Sequence, residues 1–158
     1  MQTWTRAAVR ETQESRVSVI RPRPVLTAAK SLLDAVQLPT ADLTEAHCDH
    51  FFYWGTADAP SGLVGLELFG EVALLRSLAV SPGARSSGMG TALVQYAENH
   101  ARTQGVRTMY LLTTTAERFF PKFGFERITR ADVPPGVQTS IEFTSACPSS
   151  ATVMRKSL

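Results

Sequence analysis

The fold of this chain is decided by residues 75–91, which read Leu-Arg-Ser-Leu-Ala-Val-Ser-Pro-Gly-Ala-Arg-Ser-Ser-Gly-Met-Gly-Thr. Their apolar first part belongs to a predicted β-strand, Val72–Val80, which a Pro-Gly pair ends. A loop of the form Arg-x-x-Gly-x-Gly follows and opens a predicted helix, Thr91–Thr103. The first turn of a helix carries unpaired N–H groups at the positive end of the helix dipole. This junction therefore predicts a site for a phosphate or pyrophosphate group.

The loop has the residue types that such a site needs. Gly88 and Gly90 let the backbone approach a ligand closely, and Arg85 adds a positive charge. Hydroxyl donors are available on Ser86, Ser87 and Thr91. The spacing matches neither the Gly-x-Gly-x-x-Gly dinucleotide pattern nor the Lys-Ser/Thr of a P-loop. A tight turn without a ligand is the alternative interpretation.

Outside this stretch the pattern predicts more strands, with helices between them. The other predicted strands are Val17–Arg21, His50–Thr56, Leu63–Phe69, Arg107–Thr113, Phe123–Ile128 and Ala151–Lys156. The other predicted helices are Val25–Gln37, a short one over Ala116–Lys122 and an insert over Asp132–Glu142. Residues 58–62 predict a turn, and residues 40–49 fit either a loop or a short helix. This order indicates an α/β sandwich with a mixed sheet. We expect residues 1–16 to be a disordered lead and residues 17–158 to form a single domain.

The composition excludes several classes of protein. The chain has 158 residues and a formal net charge of +2, too small to predict nucleic-acid binding. Its longest runs without a charged side chain have 12 residues, short of the roughly 18 that a membrane span needs. Cys48 and Cys147 belong to no CxxC or Cys/His cluster, so we expect free thiols in a reducing, cytoplasmic compartment. His47 and His50 lack the spacing of a metal site, and we expect no metal.

Two motifs carry a resemblance to a known family. Leu-Ala-Val-Ser-Pro at residues 78–82, followed by Arg-x-x-Gly-x-Gly-Thr-Ala-Leu, resembles the acetyl-CoA signature of the GNAT superfamily of N-acetyltransferases. Residues 116–125, Ala-Glu-Arg-Phe-Phe-Pro-Lys-Phe-Gly-Phe, resemble the second box of that family at the expected spacing. More narrowly, the chain resembles a small group of GNAT proteins named for arsenic resistance, in residues 73–80, 110–116, 130–135 and 142–151.

The resemblance implies an α/β GNAT fold whose mixed, mostly antiparallel sheet is splayed at an acetyl-CoA site. The splay would lie between the strand that ends at Val80 and the strand that ends at Thr113. The pantetheine arm would pair with the backbone of residues 78–80, where an amide would polarise the thioester carbonyl. The pyrophosphate would lie on the amides of residues 85–91. The implied cofactor-binding residues are Leu78, Ala79, Val80, Arg85, Ser86, Ser87, Gly88, Met89, Gly90, Thr91, Phe119 and Phe120, with acetyl-CoA as co-substrate and no metal.

The catalytic groups follow less directly, because two positions that are functional in the family are apolar here. Several members of the family carry a Glu where this chain has Leu75, and a Tyr that protonates the leaving thiolate where this chain has Phe120. Glu67 interrupts an apolar strand beside the predicted cleft and is the candidate base. The alternative is that Glu67 is a solvated residue or a partner of Arg76. Thr114 or water is the candidate acid, and Tyr110 is a weaker alternative that fits a core residue of its strand better.

Arg76 lies in an apolar run, where an unpaired charge is costly. A guanidinium that emerges into the cleft would clamp a carboxylate or another oxyanion of the substrate. A structural ion pair with Glu67 or Glu71 is an equal alternative. Strand alternation places the side chain of Ser77 on the face opposite to Arg76.

These expectations lead to one function and two alternatives. The chain is predicted to be an acetyl-CoA-dependent N-acetyltransferase that acts on a small-molecule amine, without nucleic-acid or membrane partners. An amino acid or an amino-acid-like toxin is the candidate acceptor, and a homodimer is the candidate assembly. The alternatives are a GNAT-like module that binds acyl-CoA with little catalysis, and a protein or peptide N-acetyltransferase.

Overall fold

The computed structural model describes residues 20–85, 87–140 and 150–158 of the chain. The strands in this part are β1 (Ile20–Pro22), β2 (Phe51–Thr56), β3 (Ala59–Phe69), β4 (Val72–Val80), β5 (Thr108–Thr113), β6 (Glu126–Ile128) and β7 (Thr152–Ser157). The α-helices in this part are α1 (Leu26–Ala35), α2 (Glu45–Cys48), α3 (Met89–Thr103) and α4 (Pro135–Gln138). Single 3-10 turns lie at Pro82–Ala84, Phe120–Phe123 and Arg130–Asp132.

One sheet joins these strands in the order β1-β2-β3-β4-β5-β7-β6. All neighbours are antiparallel except β4 and β5, which run parallel because α3 carries the chain back between them. Side chains alternate between two buried faces, so that Phe52 packs under α3 whereas Phe51 packs under α1. Leu74 packs against Val137 of α4. The predicted mixed, mostly antiparallel α/β sheet with flanking helices is therefore confirmed.

The sheet opens between β4 and β5. Their pairing covers residues 72–75 of β4 and residues 108–111 of β5. Beyond Leu75 and Leu111 the two strands separate, and a cavity of about 600 Å³ lies at the gap. The carboxyl ends of parallel strands are where ligands commonly bind in α/β sheets. The predicted splay is present.

A β-bulge on β4 marks the same place. Ala79 pairs with Leu63 and Arg76 pairs with Gly65, so β4 has one residue more than β3 across this interval. Ser77, inside the bulge, has a φ of 58°, in the left-handed region that non-glycine residues rarely adopt. The prediction that Ser77 points away from Arg76 is wrong, because the bulge interrupts the alternation and the Arg76 Nε donates to the Ser77 Oγ at 3.2 Å.

Two predicted elements are wrong for local reasons. The turn predicted over residues 58–62 is instead the two-residue turn Ala57-Asp58, so that β3 begins at Ala59, opposite Thr56. The helix predicted over residues 116–122 is reduced to the single turn Phe120–Phe123. Pro121 has no N–H to donate to the preceding turn, which prevents a longer helix.

Other predictions fall partly or wholly outside the described residues. The insert predicted over residues 132–142 contains α4, but its residues 141–142 are outside the described ranges. The same holds for residues 17–19 of the first predicted strand, for Ser86 and for Cys147. Residues 1–16 also lie outside them, so the lead and the domain limits stay predictions.

Candidate functional site

Helix α3 begins with an uncapped first turn. The 15-residue helix follows Gly88, whose φ of 80° places it in the left-handed region. Intrahelical bonding starts at the Ala92 N–H, 3.1 Å from the Gly88 carbonyl oxygen. No side chain of the described residues caps this turn, and the turn contains no acidic residue. The N–H groups of residues 89–91 therefore lie at a helix end that favours an anion.

The loop before α3 is held by contacts within itself. The Ser87 hydroxyl donates to the Ala84 carbonyl at 2.5 Å, and the Arg85 Nε donates to the Val80 carbonyl at 3.4 Å. These contacts place Arg85 and Ser87, both predicted for the site, beside the end of β4.

The two glycines of the loop differ in what surrounds them. A Cβ atom on Gly88 would meet no described heavy atom within 4 Å. A Cβ atom on Gly90 would lie 3.5 Å from the Phe119 Cζ and 3.8 Å from the Val80 Cγ2, so it would face the interior. Gly88 is thus the position that borders open space, and its positive φ independently favours glycine.

The cavity between β4 and β5 has three walls. One is formed by residues 37–41, between α1 and α2, which we name the wall loop. The second is formed by residues 75–78 of β4, and the third by residues 111–116 together with Phe120. The residues predicted for the site that line this cavity are Arg76, Leu78, Thr114 and Phe120.

The apolar positions of the cavity offer no acid or base. Leu75 and Phe120 line the cavity, with 2% and 6% of their surfaces exposed. Glu67 is not among the lining residues. Phe119 lines a neighbouring recess together with Lys122. Proton transfer in the main cavity would therefore depend on the hydroxyl groups of its lining, among them Thr114 and Ser77, on water or on a group outside the lining.

Arg76 is the centre of a buried ionic network. Its side chain has no exposed surface, and its Nη1 and Nη2 bind both carboxylate oxygens of Asp42 at 2.6 and 3.0 Å. Nη1 also donates to the Glu67 Oε2 at 3.1 Å. The ion pair between Arg76 and Glu67 is therefore present, whereas Glu71 lies near Arg107 instead. A substrate carboxylate at this guanidinium would compete with two carboxylates of the chain itself.

Asp42 is a site residue that the sequence analysis missed. Its side chain is 2% exposed. Burial alone would raise the pKa of Asp42, but the hydrogen bonds and the positive charge of Arg76 outweigh burial and hold that pKa below its usual value. The pair is consequently ionised at neutral pH. Asp42 lies 34 residues from Arg76, in a segment without helical or strand periodicity. Its position next to the apolar Leu43 is the sequence signal that could have indicated a buried carboxylate.

Glu67 lies behind the wall of the cavity. Its Oε2 also accepts a hydrogen bond from the Ser140 hydroxyl at 2.9 Å, and its Oε1 lies 3.8 Å from the His47 Nε2. The His47 Nδ1 accepts the backbone N–H of Thr44 at 3.1 Å, so the neutral ring carries its proton on Nε2, facing Glu67. The Glu67 side chain keeps 18% of its surface exposed, which leaves room for a water contact.

The adjacent histidines and cysteine serve separate purposes. His47 closes a capping box with Thr44 at the start of α2. Cys48 is buried, and burial raises the pKa of its thiol. The His50 ring lies 6.1 Å from the His100 ring.

In the part of the chain that the structure describes, no group of three or more His, Cys, Asp or Glu is arranged to hold a metal ion. Within the same residues, no helix is long and apolar enough to cross a membrane.

Comparison with known proteins adds a family to this geometry. Residues 19–125 match the model of the acetyltransferase (GNAT) family. A 52-residue segment is 42% identical to the amino-acid acetyltransferase of Pseudomonas syringae pv. syringae, covering 33% of this chain and 12% of that protein. A 65-residue segment is 37% identical to the amino-acid acetyltransferase of Ralstonia nicotianae, covering 41% of this chain and 14% of that protein. The matched segments thus span only about an eighth of the length of these curated relatives.

Solved structures share the fold over a longer part of the chain. N-acetylglutamate synthase from Neisseria gonorrhoeae, complexed with coenzyme A and N-acetyl-glutamate, is similar with a TM-score of 0.73 at 19% identity, over 88% of this chain and 34% of that one. Rv2747 from Mycobacterium tuberculosis, in complex with CoA and NLQ, is similar with a TM-score of 0.69 at 18% identity, over 89% of this chain and 99% of that one. At these identities the similarity shows a common fold.

Proposed function

The chain belongs to the acetyltransferase (GNAT) family, and from that premise we propose that it transfers the acetyl group of acetyl-CoA to the amine of a small molecule. The observation that carries the proposal is the open first turn of α3 beside the gap between β4 and β5. An anion-binding turn next to a largely apolar cleft fits a ligand with a diphosphate at one end and a thioester at the other. Two structural neighbours were solved with coenzyme A, which supports the same ligand.

Cofactor binding would rely mainly on the backbone. The diphosphate would accept hydrogen bonds from the N–H groups of residues 89–91, with Arg85 and Ser87 beside it. The pantetheine arm would follow residues 78–80, where β4 is no longer paired with β5. The bulge at Ser77 changes the direction of the backbone at this point, so that an amide of residues 78–80 can face the thioester carbonyl.

The chemistry is a direct transfer. The amine nitrogen forms a bond to the acetyl carbon, the carbon–sulfur bond breaks, and the thiolate leaves with the electron pair. Glu67 would accept the amine proton through a water molecule, because its partly exposed carboxylate lies behind the wall that Arg76 forms. Thr114 lines the cavity and is the candidate donor of a proton to the thiolate.

Calorimetry and an amine panel test this function. CoA and acetyl-CoA should bind with a dissociation constant on the order of 10 μM, within the usual range for enzyme substrates. Free CoA should then be released with at least one member of a panel of amino acids and simple amines. Absence of binding heat with both forms of the cofactor would contradict the proposal.

A matched pair of substitutions tests the base. Glu67→Gln should lower kcat about a hundredfold and leave the affinity for CoA unchanged, because glutamine cannot take up the amine proton but keeps an oxygen that can accept from Arg76 and Ser140. Glu71→Gln is the control, since its carboxylate is 73% exposed and lies outside the network. A melting curve of each variant separates lost chemistry from lost folding. Turnover at the wild-type rate in Glu67→Gln would remove Glu67 from the mechanism.

A binding module with little catalysis is the second candidate. The buried Leu75 and Phe120 favour it, because the resemblance implies a Glu and a Tyr at these positions in several members of the family, and both residues here are apolar. This candidate predicts tight binding of acyl-CoA without turnover on any amine or peptide. Turnover with a peptide alone would instead indicate a protein N-acetyltransferase.

The finer parts of the function are proposals of the same kind. An amino acid is the acceptor class that the names of the curated relatives favour, and amino-acid-like toxins belong in the same panel. The link to arsenic resistance, the homodimer and the cytoplasmic location rest on the sequence alone. Sedimentation of the purified chain tests the homodimer, and arsenic-containing amino acids in the panel test the link to arsenic.

A further inference from the structure

A directional polar contact ties the wall loop to β4. Asp42 directly follows the loop, and both of its carboxylate oxygens accept hydrogen bonds from Arg76, at 2.6 and 3.0 Å. The two side chains are 2% and 0% exposed, respectively. Two parallel N–H···O bonds fix orientation as well as distance. The end of the wall loop is therefore held in one place relative to the central strand.

The other described hydrogen bonds between this segment and its surroundings go to α1, where the Leu38 N–H donates to the Leu33 carbonyl at 2.9 Å. Thr40 donates a hydrogen bond to the exposed Asp34 at 3.1 Å. Leu43 is buried in the apolar cluster under α1, and an apolar contact is tolerant of small shifts. Gln37, with a φ of 61°, leads the chain out of α1 into the loop. Among the described residues, the bidentate pair is thus the directional contact that joins the end of the loop to β4.

The same guanidinium reaches two other parts of the site. Its Nε donates to Ser77, the residue with positive φ in the bulge, and its Nη1 donates to Glu67, the candidate base. A displacement of Asp42 would therefore be transmitted through Arg76 to both of them. Misplacement of about 1 Å in a catalytic site can cost a hundredfold in rate.

We propose that Arg76 is a positioning residue and that its pair with Asp42 is a latch, which holds the wall loop at the distance from β4 that the acceptor amine requires. The proposal rests on the proposed function only in assigning this side of the cavity to the acceptor. In it, Arg76 binds carboxylates of the chain itself and does not bind a carboxylate of the acceptor. Acceptor affinity and turnover then depend on Asp42, a residue that touches neither reacting group.

Two substitutions break the latch in different ways. Asp42→Asn keeps the size of the side chain and one acceptor oxygen, and Arg76 retains Glu67 as a charged partner. Arg76→Lys keeps the charge but cannot form two parallel hydrogen bonds. Asp49→Asn is the matched control, because it makes the same chemical change in an ion pair at the surface. The side chains of Arg23 and Asp49 in that pair are 75% and 58% exposed, respectively.

Hydrogen–deuterium exchange of the full chain without ligand tests the latch directly. Amides of residues 37–43 should exchange about tenfold faster in Asp42→Asn and Arg76→Lys than in the wild type. Amides of α3 and β5, which lie outside the described hydrogen bonds of the pair, should be unchanged, and Asp49→Asn should match the wild type. If one variant exchanges rapidly throughout the chain, the other variant decides. Unchanged exchange in the wall loop would overturn the proposal.

Kinetics separate positioning from a merely structural role. With acetyl-CoA and the best amine of the panel, both latch variants should raise KM for the amine at least fivefold and lower kcat about tenfold, while KM for acetyl-CoA stays within twofold. A loss of folded protein alone would lower kcat and leave both KM values unchanged, which would contradict positioning.

Acceptors with and without a carboxylate distinguish the latch from a clamp. Arg76→Lys should lower kcat/KM for both kinds of acceptor by the same factor, within about threefold. A selective loss for acceptors that carry a carboxylate would show that Arg76 binds the acceptor, and would overturn the proposal. If the wild type neither binds CoA nor acetylates any amine, the proposed function fails, while the exchange experiment still decides the latch.

Discussion

The substitutions Gly88→Ala and Gly90→Ala add the same methyl group in two different surroundings. We expect the first to lower and the second to raise the free energy of unfolding. Gly88 has a φ of 80°, where a Cβ atom costs about 1–2 kcal/mol. Gly90 lies inside the first turn of α3, where alanine gains up to about 1 kcal/mol of helix propensity. The new Cβ atom would be 3.5 Å from Phe119, an ordinary contact. For a chain of this size, about 1 kcal/mol corresponds to 2–4 °C in Tm.

The effects on CoA affinity should not follow those on stability. The methyl group of Gly88→Ala would stand in open space in front of the first turn, where the diphosphate is proposed to lie. Loss of one hydrogen bond to a charged group costs roughly 1.5–3 kcal/mol, and about 1.4 kcal/mol is tenfold in affinity. Gly88→Ala should therefore bind CoA at least tenfold more weakly. Gly90→Ala should stay within threefold, because its methyl group faces Phe119 and Val80.

Thermal unfolding and calorimetry with CoA, at one pH and one salt concentration, measure both effects. We expect Gly88→Ala to melt about 3 °C lower and Gly90→Ala about 2 °C higher than the wild type. Wild-type affinity in Gly88→Ala would refute the assignment of the diphosphate to the first turn of α3. Equal losses of affinity in both variants would show that the loop as a whole, and not the open face beside Gly88, determines binding.

Three further predictions concern groups outside the cavity. Burial, and then the nearby His50, lower the pKa of His100. The unfolded chain therefore binds this proton more readily, and the free energy of unfolding should fall as the pH drops below about 6.5. In urea unfolding at pH 5.5 and 7.5, His100→Phe should show a smaller loss of stability at the lower pH than the wild type. Because burial raises the pKa of Cys48, its alkylation by iodoacetamide at pH 7.5 should be at least tenfold slower than in the denatured chain, as measured by mass spectrometry of its peptide. Lys156→Met should destabilise the fold by about 3 kcal/mol in urea, because the buried Glu98 would lose its two hydrogen bonds from Lys156, at 2.8 and 2.9 Å, and keep, among its described partners, only the more distant Arg102, at 3.9 Å. A loss below about 1 kcal/mol would contradict this account.

Elements with a complete local signal were predictable. β4 runs from Val72 to Val80 as predicted, because an apolar run is bounded there by turn residues on both sides. The two-residue turn Gly70-Glu71 precedes it, and Gly70 adopts the φ of 70° that glycine tolerates. The start of β3 was not, because the predicted turn 58–62 contains turn-forming residues that the strand in fact uses. Residue type alone does not show which member of such a cluster reverses the chain.

The bulge at Ser77 could not be predicted from the sequence. An extra residue in one strand is visible only when the partner strand is aligned with it, and that alignment depends on the register between β3 and β4. This one residue changes which side chains share a face, and it is the reason that the prediction for Ser77 was wrong. The uncapped start of α3 could be predicted because its signal lies in consecutive residues, whereas the contacts on the other side of the cavity could not. The binding of acetyl-CoA at this loop stays a prediction.

Arg76 shows why the acceptor side needs the three-dimensional structure. The sequence indicated that a charge in this apolar strand needs a partner, and Glu67 was one of the candidates. The sheet register places Gly65 opposite Arg76. A Cβ atom at Gly65 would clash with the Phe51 ring, so this position cannot carry a side chain that pairs with Arg76. Two other hydrogen bonds of Arg76, one from Nη1 and one from Nη2, reach Asp42, which the chain brings back after α1. Asp42 meets Arg76 because a loop returns to the strand, and such a contact has no characteristic spacing in the sequence. The cost of burying a charge therefore predicts that Arg76 has a partner, but it does not predict which residue the partner is.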